Sequence, residues 1–305
     1  MGDFHGLTTE IISNGILSVE FLLDAGPRIV RLLYKDTAEN LLAEIPEKMH
    51  RTEFGTYVFR GGHRLWHAPE DIPRTYIPDN EPIFVAHTPD GVTLTQPVEV
   101  ATGIQKSIRI HLCLGELKVA LQHSLLNRGL WPITLSAWAI TQLPLGGVAI
   151  LPQTTTSLDT YGLLPNRNLS FWPYASVKDA RLTLLDDQIL IKADSALPPL
   201  KIGYANRTGW IGYYRNSMLF IKHFTPRMDL PHPDFNCNTE SYCGDQFIEL
   251  ETLSPMITIN PGESIIHKET WEIIPDLNAP SDQFGIRDLL VHAGLINIPN
   301  DGYGK

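Results

Sequence analysis

Apolar and polar residues alternate along most of this chain, and few stretches repeat with a helical period. In IQKSIRIHL, residues 104–112, Ile104, Ile108, Ile110 and Leu112 share one side of an extended strand. Gln105, Ser107, Arg109 and His111 take the other side, as the two-residue period of a strand requires. Leu117, Val119, Leu121 and Leu125 resume the pattern around Gly115. Turn residues join further strand-like runs. Pro89-Asp90-Gly91 links IFVAH to VTLTQ, and Asn260-Pro261-Gly262-Glu263 links PMITI to IIHKETWEI, each as a hairpin. LTLLDDQILIKA folds back on itself around Asp186-Asp187.

One segment departs from this. In SDQFGIRDLLVHAGL, Ile286, Leu289, Leu290 and Ala293 fall on one helical face, with Ser281 to cap the start and Gly294 to end it. This predicts a helix over about 282–293. The expected fold is all-β: a large sandwich of many antiparallel strands with a short C-terminal helix. No repeat or linker breaks it, so residues 1–275 read as one domain and 276–305 as a tail carrying the helix.

The 305 residues are 43% apolar and 19% charged, enough for a sizeable core. A net charge of −10 argues against a nucleic-acid surface and against an anionic membrane. It suits a small ligand. No signal peptide or membrane-spanning run is apparent, so a cytoplasmic setting is expected. Cys113, Cys237 and Cys243 form neither a disulfide framework nor a metal spacing. The sequons at Asn168 and Asn206 have meaning only in a secretory pathway.

Five segments concentrate chemistry. FRGGHRLWHAPE, residues 59–70, holds Arg60, His63, Arg64, Trp66, His67 and Glu70. Its Gly pair and Pro69 argue against regular structure, so it reads as an irregular loop lining a site, or as a surface turn over one buried Trp. The H-x3-H-x2-E spacing of His63, His67 and Glu70 would orient metal ligands on a helix, which the glycines disfavour; no metal or cofactor is expected. In FIELETL, residues 247–253, Glu249 and Glu251 share a face with side chains about 7 Å apart. In a cleft each would raise the other's pKa and make one a general acid or base; on a wet face they would be inert. In WPITLSAWAITQL, Trp138 stands among Thr134, Ser136 and Gln142, opposite Ile133, Leu135, Ala137 and Ala139. An aromatic plane beside hydroxyls suits a sugar, though a Trp packed under a loop looks the same. NRNLSFWPYASVKDAR adds Trp172 and Tyr174, and the Pro-rich stretch HFTPRMDLPHPDFNCNTE adds Asn238 and Glu240. Lys222, Arg64 and Arg181 are available to an anionic sugar.

NGILSVEFLLDAGPRIVRLLYKDTAENLLAE, residues 14–44, and FIELETLSPMITINPGESIIHKETWEI, residues 247–273, resemble the opening strands and closing block of the galactose mutarotase (aldose 1-epimerase) superfamily. With GGHRLW, LLPNRNLSFWPY and ELETLSP, the chain is similar to a branch apart from the mutarotases proper. The resemblance implies a β-supersandwich with a sugar-sized site on its concave face. It places Glu251 at the catalytic-base position and Arg64 or Arg60 at that of the substrate-binding arginine. The family's acid histidine falls where this chain has Trp138, and Trp is no acid at neutral pH. His63 or His67 would then supply the proton. The implied function is binding of a sugar or sugar acid, with epimerisation by Glu251, or Glu249 as second choice. The alternatives are a carbohydrate-binding module without catalysis, and a lyase or hydrolase on the same fold.

Overall fold

The computed structural model describes residues 1–35, 39–195, 198–280 and 283–296. Two large sheets of eleven and ten strands stack face to face, and every strand pairing among the described residues is antiparallel. The first sheet carries the strands Arg28–Tyr34, His63–Ala68, Ile133–Pro144, Phe247–Leu253, Thr239–Cys243 and Leu200–Tyr204 side by side in its middle. The second centres on Trp210–Arg215, Met218–Phe224, Ser264–Ile274, Lys118–Asn127 and Ile104–Leu112. The main core lies between them and takes side chains from both, among them Leu17, Ile29, Leu65 and Leu250 against Ile108, Leu121, Ile211 and Trp271. This is the antiparallel sandwich that the alternation predicts, with mostly apolar side chains buried between the sheets.

The hairpins at Pro89-Asp90 and around Asp186-Asp187 form as expected. The turn at residues 260–263 does not close a hairpin. Ile257–Ile259 pairs within the first sheet and Ser264–Ile274 within the second, so the turn carries the chain from one sheet to the other. The C-terminal helix is Gln283–His292, and Gly294 at φ +70° ends it. Ile286, Leu289 and Leu290 are buried against Ile150, Trp210 and Ile221 on the outer side of the second sheet. The expected cap, Ser281, lies outside the described residues.

FRGGHRLWHAPE is not an irregular loop. A two-stranded hairpin, Glu44–Thr52 with Gly55–Gly61, leads into it, and His63–Ala68 is a fully buried strand in the middle of the first sheet. The glycines act at one point only. Gly61 and Gly62 have φ of +86° and +68°, and a Cβ at either would fall 2.0 Å from a backbone carbonyl oxygen. They turn the chain out of the hairpin, and the strand begins immediately after. No helix among the described residues is long and apolar enough to cross a membrane.

Candidate functional site

Register builds the site. Residues directly opposite one another in paired strands point to the same face. On the outer face of the first sheet they form three rows. Gln142, Glu249, Tyr242 and Lys201 make one row. Arg28, Arg64, Ile140, Glu251 and Glu240 make the next. Trp66, Trp138 and Leu253 make the third. Above them the hairpin brings Tyr57 and Phe59 against Trp66, and the segment after His63–Ala68 brings Tyr76 to 4.8 Å from the Trp66 ring.

A pocket of about 150 Å³ opens between these layers. The sheet contributes Arg64, Trp66, Trp138, Lys201, Tyr242, Phe247 and Glu249. The covering segments contribute Lys48, Phe59, Glu70, Tyr76 and Tyr174. Larger clefts occur elsewhere, including one of about 410 Å³ beside Phe54, Asn80 and Val98, but the paired carboxylates gather only around this one among the described clefts.

The floor is charged and dry. Arg64 Nη2 and Gln142 Nε2 each donate to Glu249 Oε1 at 2.9 Å. Burial pushes the Glu249 carboxyl up, Arg64 pulls against that without cancelling it, and the Glu251 charge adds to the rise. Glu251 is completely buried; Trp138 Nε1 donates to its Oε2 at 2.8 Å and Lys201 Nζ at 3.2 Å. Lys201 lies between the Trp138 and Trp172 rings, 4.5 and 4.6 Å from their centres. Burial alone would lower its pKa, but Glu240 and Glu251 outweigh burial and hold it well above the usual lysine range. Glu240 Oε2 is 2.8 Å from Lys201 Nζ, close in charge yet bent away from hydrogen-bond geometry. Burial pushes Glu240 well up despite Lys201. Six buried polar atoms of this floor have no hydrogen-bond partner in the protein: Arg64 Nε and Nη1, Gln142 Oε1, Glu251 Oε1 and both carboxyl oxygens of Glu240. Each such atom costs about 1–3 kcal/mol unless something pairs with it.

The structure brings Arg64, Trp66, Trp138, Tyr174, Glu249 and, one layer beneath, Glu240 and Glu251 together, with Trp172 stacked on Lys201. It takes the other candidates elsewhere. His63 and His67 alternate with Arg64 and Trp66, so they face the inter-sheet core and not the pocket, which removes both as proton donors there. Lys222 is also between the sheets, donating to Ala139 O and Leu250 O at 3.1 and 3.0 Å. Arg60 pairs with Asp79 and Asn80, Arg181 with Asp179, and Asn238 binds the backbone of Asn206. These four are structural, not ligand-facing. Lys201, Tyr76, Tyr242 and Phe59 escape a reading of the sequence. Only strand register brings Lys201 to the acidic pair.

A metal would find its best ligand set away from this pocket. His63, His123 and Glu269 bring ligand atoms within 4.8 Å of one another between the sheets. Lys222 Nζ, 2.9 Å from Glu269, already supplies the positive charge at that point, and the ring nitrogens are 2.7 Å apart in a hydrogen bond. The residues present fit a closed proton-bonded network better than an ion.

No protein-family model and no curated protein sequence matches the chain. Solved structures do match it in shape. A TPR-domain containing protein from Parabacteroides distasonis superposes with a TM-score of 0.61 at 16% identity, over 91% of this chain and 50% of that one. This chain therefore spans half the length of that protein. A Klebsiella pneumoniae protein provisionally assigned as an aldose 1-epimerase gives 0.60 at 10% identity, over 98% of this chain and 86% of that one. A galactose mutarotase related enzyme from Lactobacillus acidophilus gives 0.53 at 11%, over 89% and 99%. The architecture that the opening and closing blocks suggest is thus the one observed, and the chain has the galactose mutarotase-like fold.

Proposed function

We propose that the pocket binds a single sugar ring. The observation that carries this is the combination, in one pocket of about 150 Å³, of aromatic walls with Arg64, whose Nε and Nη1 have no protein partner. Trp66, Tyr76, Tyr174 and Tyr242 offer planes to the C–H faces of a pyranose. Arg64, which lines the pocket and has donors without protein partners, donates to ring or hydroxyl oxygens, and Glu249 accepts from hydroxyls. A sugar is the ligand class that needs both kinds of surface at once. The proteins of like fold with mutarotase and epimerase names support the same class by analogy.

Catalysed exchange of anomers is the second reading. Glu249 favours it, because a pocket carboxyl pushed up by burial keeps its proton closer to neutral pH, where acid–base catalysis works best. Against the mechanism that the resemblance implies stands the state of Glu251, which Trp138 and Lys201 hold completely buried. A carbohydrate-binding module without turnover is the reading that this arrangement favours. The test is saturation-transfer NMR with a panel of free aldoses and uronates. Transfer to at least one sugar is expected, and transfer to none would end the sugar reading.

A further inference from the structure

The cleft beside Phe54, Asn80 and Val98 has different chemistry from the sugar pocket, and its reading does not depend on that pocket. We propose that it binds a small organic cation, a protonated amine carried on an apolar body. Three segments wall it: the hairpin tip at residues 54–56, residues 77–81 and residues 96–101. Hydrogen bonds fix each of them. Asn80 Nδ2 donates to Thr56 O at 2.8 Å, Gly26 N to Asp79 O at 2.9 Å, and Gln96 N to Lys106 O at 3.1 Å. The volume of about 410 Å³ lies within the range of about 300–1,000 Å³ usual for small-ligand sites.

Its ion pairs are arranged in one sense. Asp79, Glu81 and Glu99 are on the lining, and among the described residues no Lys, Arg or His is. The cations that balance the two inner carboxylates stand off the lining. Arg28 Nε is 2.7 Å and Arg60 Nη1 3.1 Å from Asp79, and Lys106 Nζ is 2.5 Å from Glu99. Burial alone would raise both carboxyls, but these cations outweigh it and hold both below the usual carboxylate range. Each pair is therefore a dipole with its negative end on the cavity wall, and exposed Glu81 adds to that field. Gln96 is the independent observation. It lines the cavity and is 5% exposed. Its Nε2 donates to Glu99 Oε1 at 3.2 Å, which orients the amide, and its Oε1 is left buried without a protein partner. That acceptor calls for a donor, and an ammonium N–H supplies one with the charge that the wall favours. The body of the ligand would lie on Ile77, Pro78 and Pro97, and on Phe54 and Val98, which are otherwise 45% and 39% exposed. A neutral hydroxyl would satisfy Gln96 without using the field, and an anion would be repelled by it.

The experiment is an NMR titration with three probes of one shape: phenethylammonium, 2-phenylethanol and phenylacetate. It uses wild type, Gln96→Met, Val98→Arg and Glu81→Lys. Wild type is expected to take phenethylammonium with a Kd of about 1 mM, an ordinary affinity for so small a ligand, and about tenfold tighter than either analogue. Gln96→Met should weaken that binding about tenfold, the usual worth of a hydrogen bond to a charged group. Val98→Arg and Glu81→Lys each bring a cation to the lining and should weaken it by about as much. Gln96 is buried, so its variant is checked by circular dichroism; the two exposed positions carry the test if it does not fold. Equal affinity for the three probes, or tighter binding of phenylacetate, overturns the cation. Wild-type affinity for phenethylammonium in any folded variant places the amine elsewhere and overturns the site. No binding of phenethylammonium at about 10 mM overturns it outright.

Discussion

Two buried charged clusters lie on opposite sides of the first sheet, and they are built to different rules. Between the sheets, the cluster of His63, His123, Lys222 and Glu269 closes on itself. His123 Nδ1 donates to His267 O at 3.2 Å, so its Nε2 is bare and accepts from His63 Nε2 at 2.7 Å. His63 Nδ1 then accepts from the Thr141 hydroxyl at 2.9 Å. Lys222 divides its three donors among Ala139 O, Leu250 O and Glu269, whose carboxylate also accepts from Thr252 and Trp271. On the outer face, Arg64, Gln142 and Glu251 keep buried atoms unpaired. A polar network that closes on itself specifies the stacking of two sheets. One that stays open at a pocket stores binding capacity instead. Charge and burial alone do not separate a site from a core. Between these two clusters the unpaired atoms do, although His67 also keeps both ring nitrogens unpaired in the core.

The contrast predicts its largest effect at Lys222. Replacing it with Met leaves Glu269 buried without its cation and should cost about 3–5 kcal/mol in urea unfolding. Adding Glu269→Gln removes the stranded charge and should recover much of that loss. A cost below about 1 kcal/mol for Lys222→Met would show that the inner network is not what holds the sheets together.

The inner histidines predict an acid limit. Burial first, with Lys222 and neighbouring His123 adding to it, pushes His267 down to about 3, although Glu269 pulls the other way and His232 faces it too. His63 and His123 are lowered as well, again by burial first. A depressed histidine is neutral in the folded state and takes up a proton on unfolding. Its contribution is therefore complete above the unfolded value near 6.5 and drains away as pH falls toward the folded one. For His267 that window runs from about 6.5 down to about 3. Each such group steepens the fall by about 1.4 kcal/mol per pH unit. His267→Gln should flatten the slope of unfolding free energy between pH 6 and 4 by about that amount. An unchanged slope would mean that His267 is already charged in the folded protein.

The same contrast explains what the sequence could disclose. Period two is visible wherever one face is wet, as in Ile104–Leu112, where Ile104, Ile108 and Ile110 are buried and Arg109 is exposed. In His63–Ala68 both faces are covered, so nothing in HRLWHA says that Arg64 and Trp66 look into a pocket while His63 and His67 look into the core. The pair Glu249 and Glu251 was legible as a shared face because Ile248 and Leu250 alternate with it. Its partner Lys201 was not. That residue is one cation in a short apolar strand, and only the register Glu240 opposite Glu251 explains its place. Gly61-Gly62 hides the strand for a related reason: it marks only a local turn, and the strand that follows is fixed by long-range pairing to Ile133–Pro144.

The smallest effect separates a wall of the pocket from a support of the fold. Tyr174 lines the pocket yet is 51% exposed, and its phenol is pushed up by burial of the hydroxyl end, with Lys201 pulling the other way. Its ring therefore adds little to the core but offers a plane to a ligand. Tyr174→Ala should change the unfolding free energy by no more than about 0.5 kcal/mol, as for other surface truncations. The same variant should weaken sugar binding by about 1 kcal/mol, roughly fivefold in Kd, the usual worth of one aromatic contact. Urea unfolding and NMR titration on one preparation measure both. Equal loss in the two would make Tyr174 part of the scaffold. Loss of stability without loss of binding would move the ligand to the other side of Lys201, against Arg64 and Trp66.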